Sequence, residues 1–250
     1  MSKFNKKLVI FDLDGTLTKS KSAIELEMAD LVCKLLINRK VAVISGGGYP
    51  QFLTQLVSKL PVGTGNFTNL YLLPTSGTRL YIWKGHWNEE YAEDLTQKEK
   101  EKILAALDAV INSSAYEKPS ILYGEMVEDR GSQITFSALG QKAPVELKYA
   151  WDPSRNKREK IADMLRKKIS EFDVRVGGAT SVDVTRKGVN KAYGIMKLAQ
   201  HLNLTISDII FVGDALFYGG NDYPAKTTGV DCISVKGPEE TAKLIKSWIS

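Results

Sequence analysis

The chain has 250 residues, 43% of them hydrophobic and 25% charged, with a formal net charge of +5. These values describe an ordinary globular protein with room for one large core or two small ones. No block of five or six like charges occurs, which argues against nucleic-acid binding, and no apolar run approaches the ~18 residues of a membrane span. Cys33 and Cys232 lie in apolar stretches outside any C-x-x-C spacing, as reduced core thiols do. The start of the chain has no signal-peptide pattern, so a cytoplasmic location is expected.

In chain order, "KLVIFDLD" (7–14) is a continuous apolar run of strand length, the pattern of a strand buried on both faces. Residues 23–39 place Ile24, Met28, Leu31, Leu35 and Leu36 at helical spacing. "KVAVISGGG" (40–48) is a second buried strand ending in glycines, "YPQFLTQLVSKL" (49–60) the helix after it, and "NLYLLPTSG" (69–77) a third strand. This β-α-β-α-β order predicts a parallel sheet with right-handed crossovers. The middle of the chain differs. "TRLYIWKGHWNEEY" (78–91) reads as an antiparallel hairpin turning at Lys84-Gly85, and residues 96–114 as a helix opened by a capping box of Thr96 and Glu99. Two strands joined by a polar turn at 128–132 follow, then an amphipathic helix over 153–172 and a strand over 174–185. In that helix, Lys157, Arg158, Lys160, Arg166, Lys167 and Lys168 read as a solvated face. The last third returns to alternation: helix 190–204, buried strand 208–215, strand 230–236 and a terminal helix over 238–249. The expected fold is α/β: a Rossmann-like parallel-sheet core from residues 1–81 and 187–250, with an inserted α+β domain at 82–186.

In a parallel sheet, ligands bind beyond the carboxyl ends of the strands, near the point where strand order reverses. Three strand ends carry polar, small-residue signals: Asp12-x-Asp14-Gly15-Thr16, Ser45-Gly46-Gly47-Gly48, and Gly213-Asp214 followed by Gly219-Gly220-Asn221-Asp222. Their convergence would gather four carboxylates, which is unfavourable unless a cation neutralises them. Carboxylate oxygens without histidine or thiolate point to Mg2+.

These motifs, with "GVNK" (188–191) and "GDALFYGGND" (213–222), resemble the haloacid dehalogenase superfamily, in the branch with a large α/β cap of the IIB type. Within it, "PTSG" (74–77) and "GGATSVDV" (177–184) add a resemblance to phosphomannomutases of the eukaryotic type, in matching order and spacing over nearly the whole chain. The resemblance implies a role for each residue. Asp12 is the nucleophile that forms an aspartyl-phosphate, and Asp14 the general acid and then base. Ser45 and the amides of Gly46 and Gly47 bind phosphoryl oxygens, and Lys191 neutralises their charge. Asp12, the main-chain carbonyl of Asp14, Asp214 and Asp222 hold Mg2+, with Asp222 either a ligand or a support behind one.

The cap should decide which acceptor receives the phosphoryl group. A mutase holds a sugar bisphosphate by its far phosphate, and in the resembling family arginines do this because guanidinium binds phosphate bidentately. Arg130 matches the first of them, and Ser181 and Asp183 match the sugar-contacting positions. A second arginine and an asparagine are replaced by Gln141 and Thr135, and an arginine near the N-terminus by Lys21. Lys148 and Arg155 are the nearby cations that remain. With the far-phosphate clamp depleted, the expected activity is a Mg2+-dependent phosphatase of a small phosphorylated metabolite such as a sugar phosphate. The alternative is a phosphohexomutase, and a third reading is a non-catalytic phosphosugar-binding protein. The resemblance implies a monomer or a cap-mediated homodimer.

Overall fold

The computed structural model describes residues 4–19, 22–61, 66–114 and 116–249. The chain divides into two units, one of Met1–Ala92 with Asn190–Ser250 and one of Glu93–Val189. In the first, β1 (Leu8–Asp12), β2 (Lys40–Ile44) and β3 (Leu70–Leu73) run parallel, as do β10 (Ile209–Gly213) and β11 (Asp231–Ser234). The order across the sheet is β11-β10-β1-β2-β3-β4-β5. Alternate residues of β1 face opposite layers. Val9 and Phe11 pack with Met28, Val32 and Leu36 of α1 (Leu26–Leu36) and Ile245 of α8 (Pro238–Ile249). Leu8 and Ile10 pack with Ile195 and Leu198 of α6 (Lys191–His201). Helices on both faces explain why β1 reads as unbroken apolar residues rather than an alternation.

The expected domain boundaries shift. The hairpin β4 (Arg79–Trp83) and β5 (Trp87–Ala92) is not part of the inserted domain, because β4 pairs antiparallel with β3 and so extends the core sheet. The second unit therefore opens at Glu93 rather than 82, and closes at Val189 rather than 186. At that end, Gly188 N–H donates to Asp173 and the Val189 carbonyl accepts from Arg175, which ties both residues to the second unit.

That unit is an antiparallel sheet ordered β6-β7-β9-β8, from β6 (Val127–Asp129), β7 (Gln133–Ser137), β8 (Phe172–Val176) and β9 (Ser181–Arg186). The strand expected over 174–185 is thus two strands, bent at Gly177-Gly178. One face of the sheet carries Ile134, Phe136, Val182 and Val184 onto Ile103 and Leu107 of α3 (Gln97–Ile111) and Ile161 and Leu165 of α5 (Asn156–Lys168). Two short helices went unpredicted, α4 (Val145–Trp151) and α7 (Tyr223–Lys226), each too brief to display a full amphipathic period. Arg158 also departs from the solvated face read for α5. It is buried, and donates through Nε and Nη2 to the side chain and carbonyl of Asp152, each at 2.9 Å.

The capping box that begins α3 forms as expected and is reinforced. Glu99 accepts from the Thr96 amide at 2.6 Å, and Arg186 of β9 grips the same carboxylate with Nε at 2.8 Å and Nη2 at 2.7 Å. The Arg186 hydrogen bonds, aided by Thr96, hold the Glu99 carboxyl down to about 2. A folded-state value below the ordinary one means that the contribution is complete above the ordinary value and is lost as pH falls through the folded one. On acidification from pH 5 to pH 2, wild type should therefore lose more melting temperature than E99Q, and T96A should cost about 1 kcal/mol at neutral pH. Thermal unfolding across that range checks both.

Candidate active site

The carboxyl ends of β1 and β10 lie side by side where the strand order reverses. Asp12 is the last residue of β1, and Asp214 follows the last residue of β10. The turn after Asp12 is closed by a 2.7 Å bond from Gly15 N–H to the Thr18 carbonyl. Gly15 has φ +87°, and a Cβ there would lie 2.6 Å from Asp214 Oδ2, so only glycine lets this turn sit against that carboxylate. Lys191 opens α6, whose first turn is capped by Asn190 accepting from Tyr193 N–H at 3.1 Å.

The Lys191 ammonium is buried and donates to both Asp12 Oδ1 and Asp222 Oδ1. The other Asp222 oxygen accepts from the Ala215 amide at 2.9 Å, which fixes the turn after β10. Asp12 Oδ2 is buried and accepts no hydrogen bond among the described residues. Burial pushes the Asp12 carboxyl up to about 8 against the pull of Lys191, with Asp222 and Asp214 adding to the rise. Burial also raises Asp214, and Asp222 adds to it. Burial opposes the charge on Lys191, yet Asp12 and Asp222 outweigh it and hold the ammonium above its ordinary range. Two carboxylates thus share one ammonium, with a third beside them. Oxygens of Asp12, Asp214 and Asp222 lie within 4.8 Å of one another. An orphaned carboxylate oxygen within such a set fits a divalent cation, because hard oxygen ligands and excess negative charge are what one requires.

Asp14 is set apart from this cluster. Its carboxylate accepts from Gln51 Nε2 at 2.8 Å and from Gln55 Nε2 at 3.3 Å. Both glutamines belong to α2 (Tyr49–Gln55), four residues apart on one face. They were missed in the sequence, where the spacing Gln-x-x-x-Gln two residues after "SGGG" was the available signal. Thr16, part of the motif after β1, brings its hydroxyl to 3.5 Å from Asp214 Oδ1. Ser45 is buried just past β2, and its Oγ accepts from Gly47 N–H at 3.1 Å. Gly48 is the residue that caps α2. Gly46 and Gly47 form the glycine turn between them, so Ser45 is no helix cap. The first unit thus gathers Asp12, Asp214, Asp222 and Lys191, with Asp14 and Ser45 on neighbouring turns.

Arg130, Ser181 and Asp183 belong to the second unit. Arg130 Nη2 pairs with Glu128 at 2.7 Å, Ser181 lies 3.1 Å from the Ser137 hydroxyl, and Asp183 Oδ1 accepts from Thr135 at 2.8 Å. Gln141 Nε2 is buried with no hydrogen-bond partner among the described residues, while the Gln141 main-chain carbonyl accepts from buried Lys148 at 2.9 Å. Lys21 lies outside the described residues.

Residues 29–250 match the family model described as eukaryotic phosphomannomutase. The chain belongs to the eukaryotic phosphomannomutase family. The match opens after the Asp12-x-Asp14 motif, but a probable phosphomannomutase of Caenorhabditis elegans is 26% identical over 254 residues, covering 97% of this chain and 95% of that protein. The fold is similar to that of a haloacid dehalogenase-like hydrolase from Bacteroides thetaiotaomicron (TM-score 0.66, 15% identity, 97% of this chain and 99% of that one). It is also similar to the IMP-nucleotidase of Plasmodium falciparum (TM-score 0.71, 18% identity, 98% of this chain and 69% of that one). The phosphomannomutase family is a family of haloacid dehalogenase-type phosphoryl-transfer enzymes, and the observed arrangement suits that chemistry: a buried carboxylate with one bare oxygen, an ammonium beside it, and a second carboxylate held two residues away.

The cluster generates two measurable consequences. Asp222→Ala leaves Lys191 with half its counter-charge in a buried site and should destabilise the protein by on the order of 3 kcal/mol, read by chemical denaturation. A divalent cation at about a hundred times its Kd should add about 2.7 kcal/mol to unfolding, and Asp214→Asn should remove most of that gain.

Proposed function

We propose that this protein is a Mg2+-dependent phosphohexomutase of the phosphomannomutase type. The observation that carries the reading is the buried Asp12–Lys191–Asp222 cluster with Asp214 beside it, in a chain whose family match runs through both units. Asp12 attacks the phosphorus of a bound sugar phosphate, forming an aspartyl-phosphate while the bond to the sugar oxygen breaks. Asp14 gives that oxygen a proton, and later takes one from the hydroxyl that collects the phosphoryl group. Lys191 and the turn at Ser45, Gly46 and Gly47 offset charge on the phosphoryl oxygens. Asp12, Asp214 and the Asp14 carbonyl would hold Mg2+. Asp222, with both oxygens already accepting, would support them through Lys191 and the turn at Ala215. When bound, the ion supplies the positive charge that keeps Asp12 ionised beside a phosphoryl group. Arg130, Ser181 and Asp183 would bind the substrate.

Transfer back to a sugar and transfer to water share the first half of this scheme. Family membership favours the sugar as acceptor, and so favours the mutase over the phosphatase expected from the sequence. One observation favours water: Gln141 and Thr135 replace groups that the mutases use to clamp the far phosphate. Incubation with Mg2+, mannose 1-phosphate and catalytic hexose 1,6-bisphosphate separates the two. Formation of mannose 6-phosphate is the expected result. Stoichiometric release of inorganic phosphate without the isomer would overturn the mutase in favour of the phosphatase. Asp12→Asn should lower turnover at least about a thousandfold in either case; a variant as active as wild type would overturn Asp12 as the nucleophile, and no turnover of any sugar phosphate by the wild type would leave only a phosphosugar-binding role.

A further inference from the structure

We propose that Gln133 and Thr135 are positioning residues that hold the Asp183 carboxylate in one orientation for a substrate hydroxyl. This rests on the reading of Asp183 as a substrate-binding residue. The starting point is the register of β7 against β9, which sets Gln133 opposite Thr185, Thr135 opposite Asp183 and Ser137 opposite Ser181. Because strand side chains alternate, these six polar residues share the face that turns away from Ile134, Phe136, Val182 and Val184. A polar sheet face is ordinarily a solvated one. Here Gln133, Thr135, Ser137, Ser181 and Thr185 are all buried, and only Asp183 among the six is partly exposed.

The direction of the hydrogen bonds is forced by chemistry. An amide nitrogen only donates and an ionised carboxylate only accepts, whereas a hydroxyl does both. Gln133 Nε2 donates to Thr135 Oγ1 at 2.9 Å, and Thr135 Oγ1 donates to Asp183 Oδ1 at 2.8 Å. The Thr135 proton therefore points at Asp183 because Gln133 occupies the acceptor side of the hydroxyl. Threonine is branched at Cβ and stiff about χ1, so the hydroxyl is a rigid donor. The second carboxylate oxygen is confined from the other side. A Cβ added to Gly177 would lie 2.7 Å from Asp183 Oδ2, so the backbone of β8's end closes on it at glycine distance. That backbone is itself anchored, since the buried Arg158 guanidinium donates to the carbonyl of Gly178.

An oriented carboxylate discriminates among sugar epimers, because one hydroxyl placed to donate to it is replaced in the epimer by one that points elsewhere. Thr135 stands where the resembling mutases carry an asparagine. In this chain the position serves Asp183 rather than a phosphate.

The test uses the full-length protein with Mg2+. The substrate is the hexose phosphate turned over fastest among mannose 1-phosphate, mannose 6-phosphate, glucose 1-phosphate and glucose 6-phosphate. Thr135→Val removes only the hydroxyl and should raise KM about tenfold, with a much smaller change in kcat. Thr135→Ser keeps the donor and should restore KM to near the wild-type value. In an Asp183→Asn background, Thr135→Val should raise KM no further, as coupled neighbours require. Additive effects, or a silent Thr135→Val beside a damaging Asp183→Asn, would overturn the relay alone. A silent Asp183→Asn would remove the substrate role of Asp183 and the relay with it, and no turnover of any of the four sugars would remove the functional reading beneath both.

Discussion

A single ammonium group buried among carboxylates governs the first unit. Lys191 bonds to Asp12 and Asp222 in a place with almost no water, where an unpaired charge would cost several kcal/mol. Each partner therefore constrains the others. Asp12 must end β1, Asp222 must close the loop after β10, and Lys191 must open α6, so three separate segments are held to one point. The cluster remains negative overall once Asp214 is counted. The bare oxygen of Asp12 is the local sign of that imbalance, and a divalent cation is the simplest remedy.

Asp14 shows how two similar residues acquire different surroundings. It lies two positions from Asp12, yet both its oxygens accept from amides of α2 rather than from Lys191. Those amide donors help to fix the position of the Asp14 carboxylate, whereas Asp12 bonds to the Lys191 ammonium. The helix α2 thereby links the glycine turn after β2 to the turn after β1, and the two turns are positioned as one.

The second unit is organised by the two-residue period of its strands. The apolar set seals against α3 and α5, and the same alternation forces the polar set onto the opposite face. Burying that polar face is tolerable because its members bond to one another, Gln133 to Thr135 along β7, and Thr135 to Asp183 and Ser137 to Ser181 across to β9. Such a face is rigid.

The parallel order of β1, β2 and β3, the helices between them and the capping box at Thr96 were all legible in the sequence, because each depends on neighbours within a few residues. That Asp12, Lys191, Asp214 and Asp222 come together was legible through their motifs. The placement of the hairpin at 79–92 was not, since only pairing with β3 assigns it to the core sheet. Gln51 and Gln55 were invisible as partners of Asp14, thirty-seven and forty-one residues away. Arg158 read as a solvated cation until Asp152 and the Gly178 carbonyl came to it. The sequence by itself determined which groups could do chemistry, because reactivity belongs to side-chain type and local spacing. Only the tertiary structure decided which of them share a charge, a proton or an orientation, because those depend on distances that the chain closes from far apart.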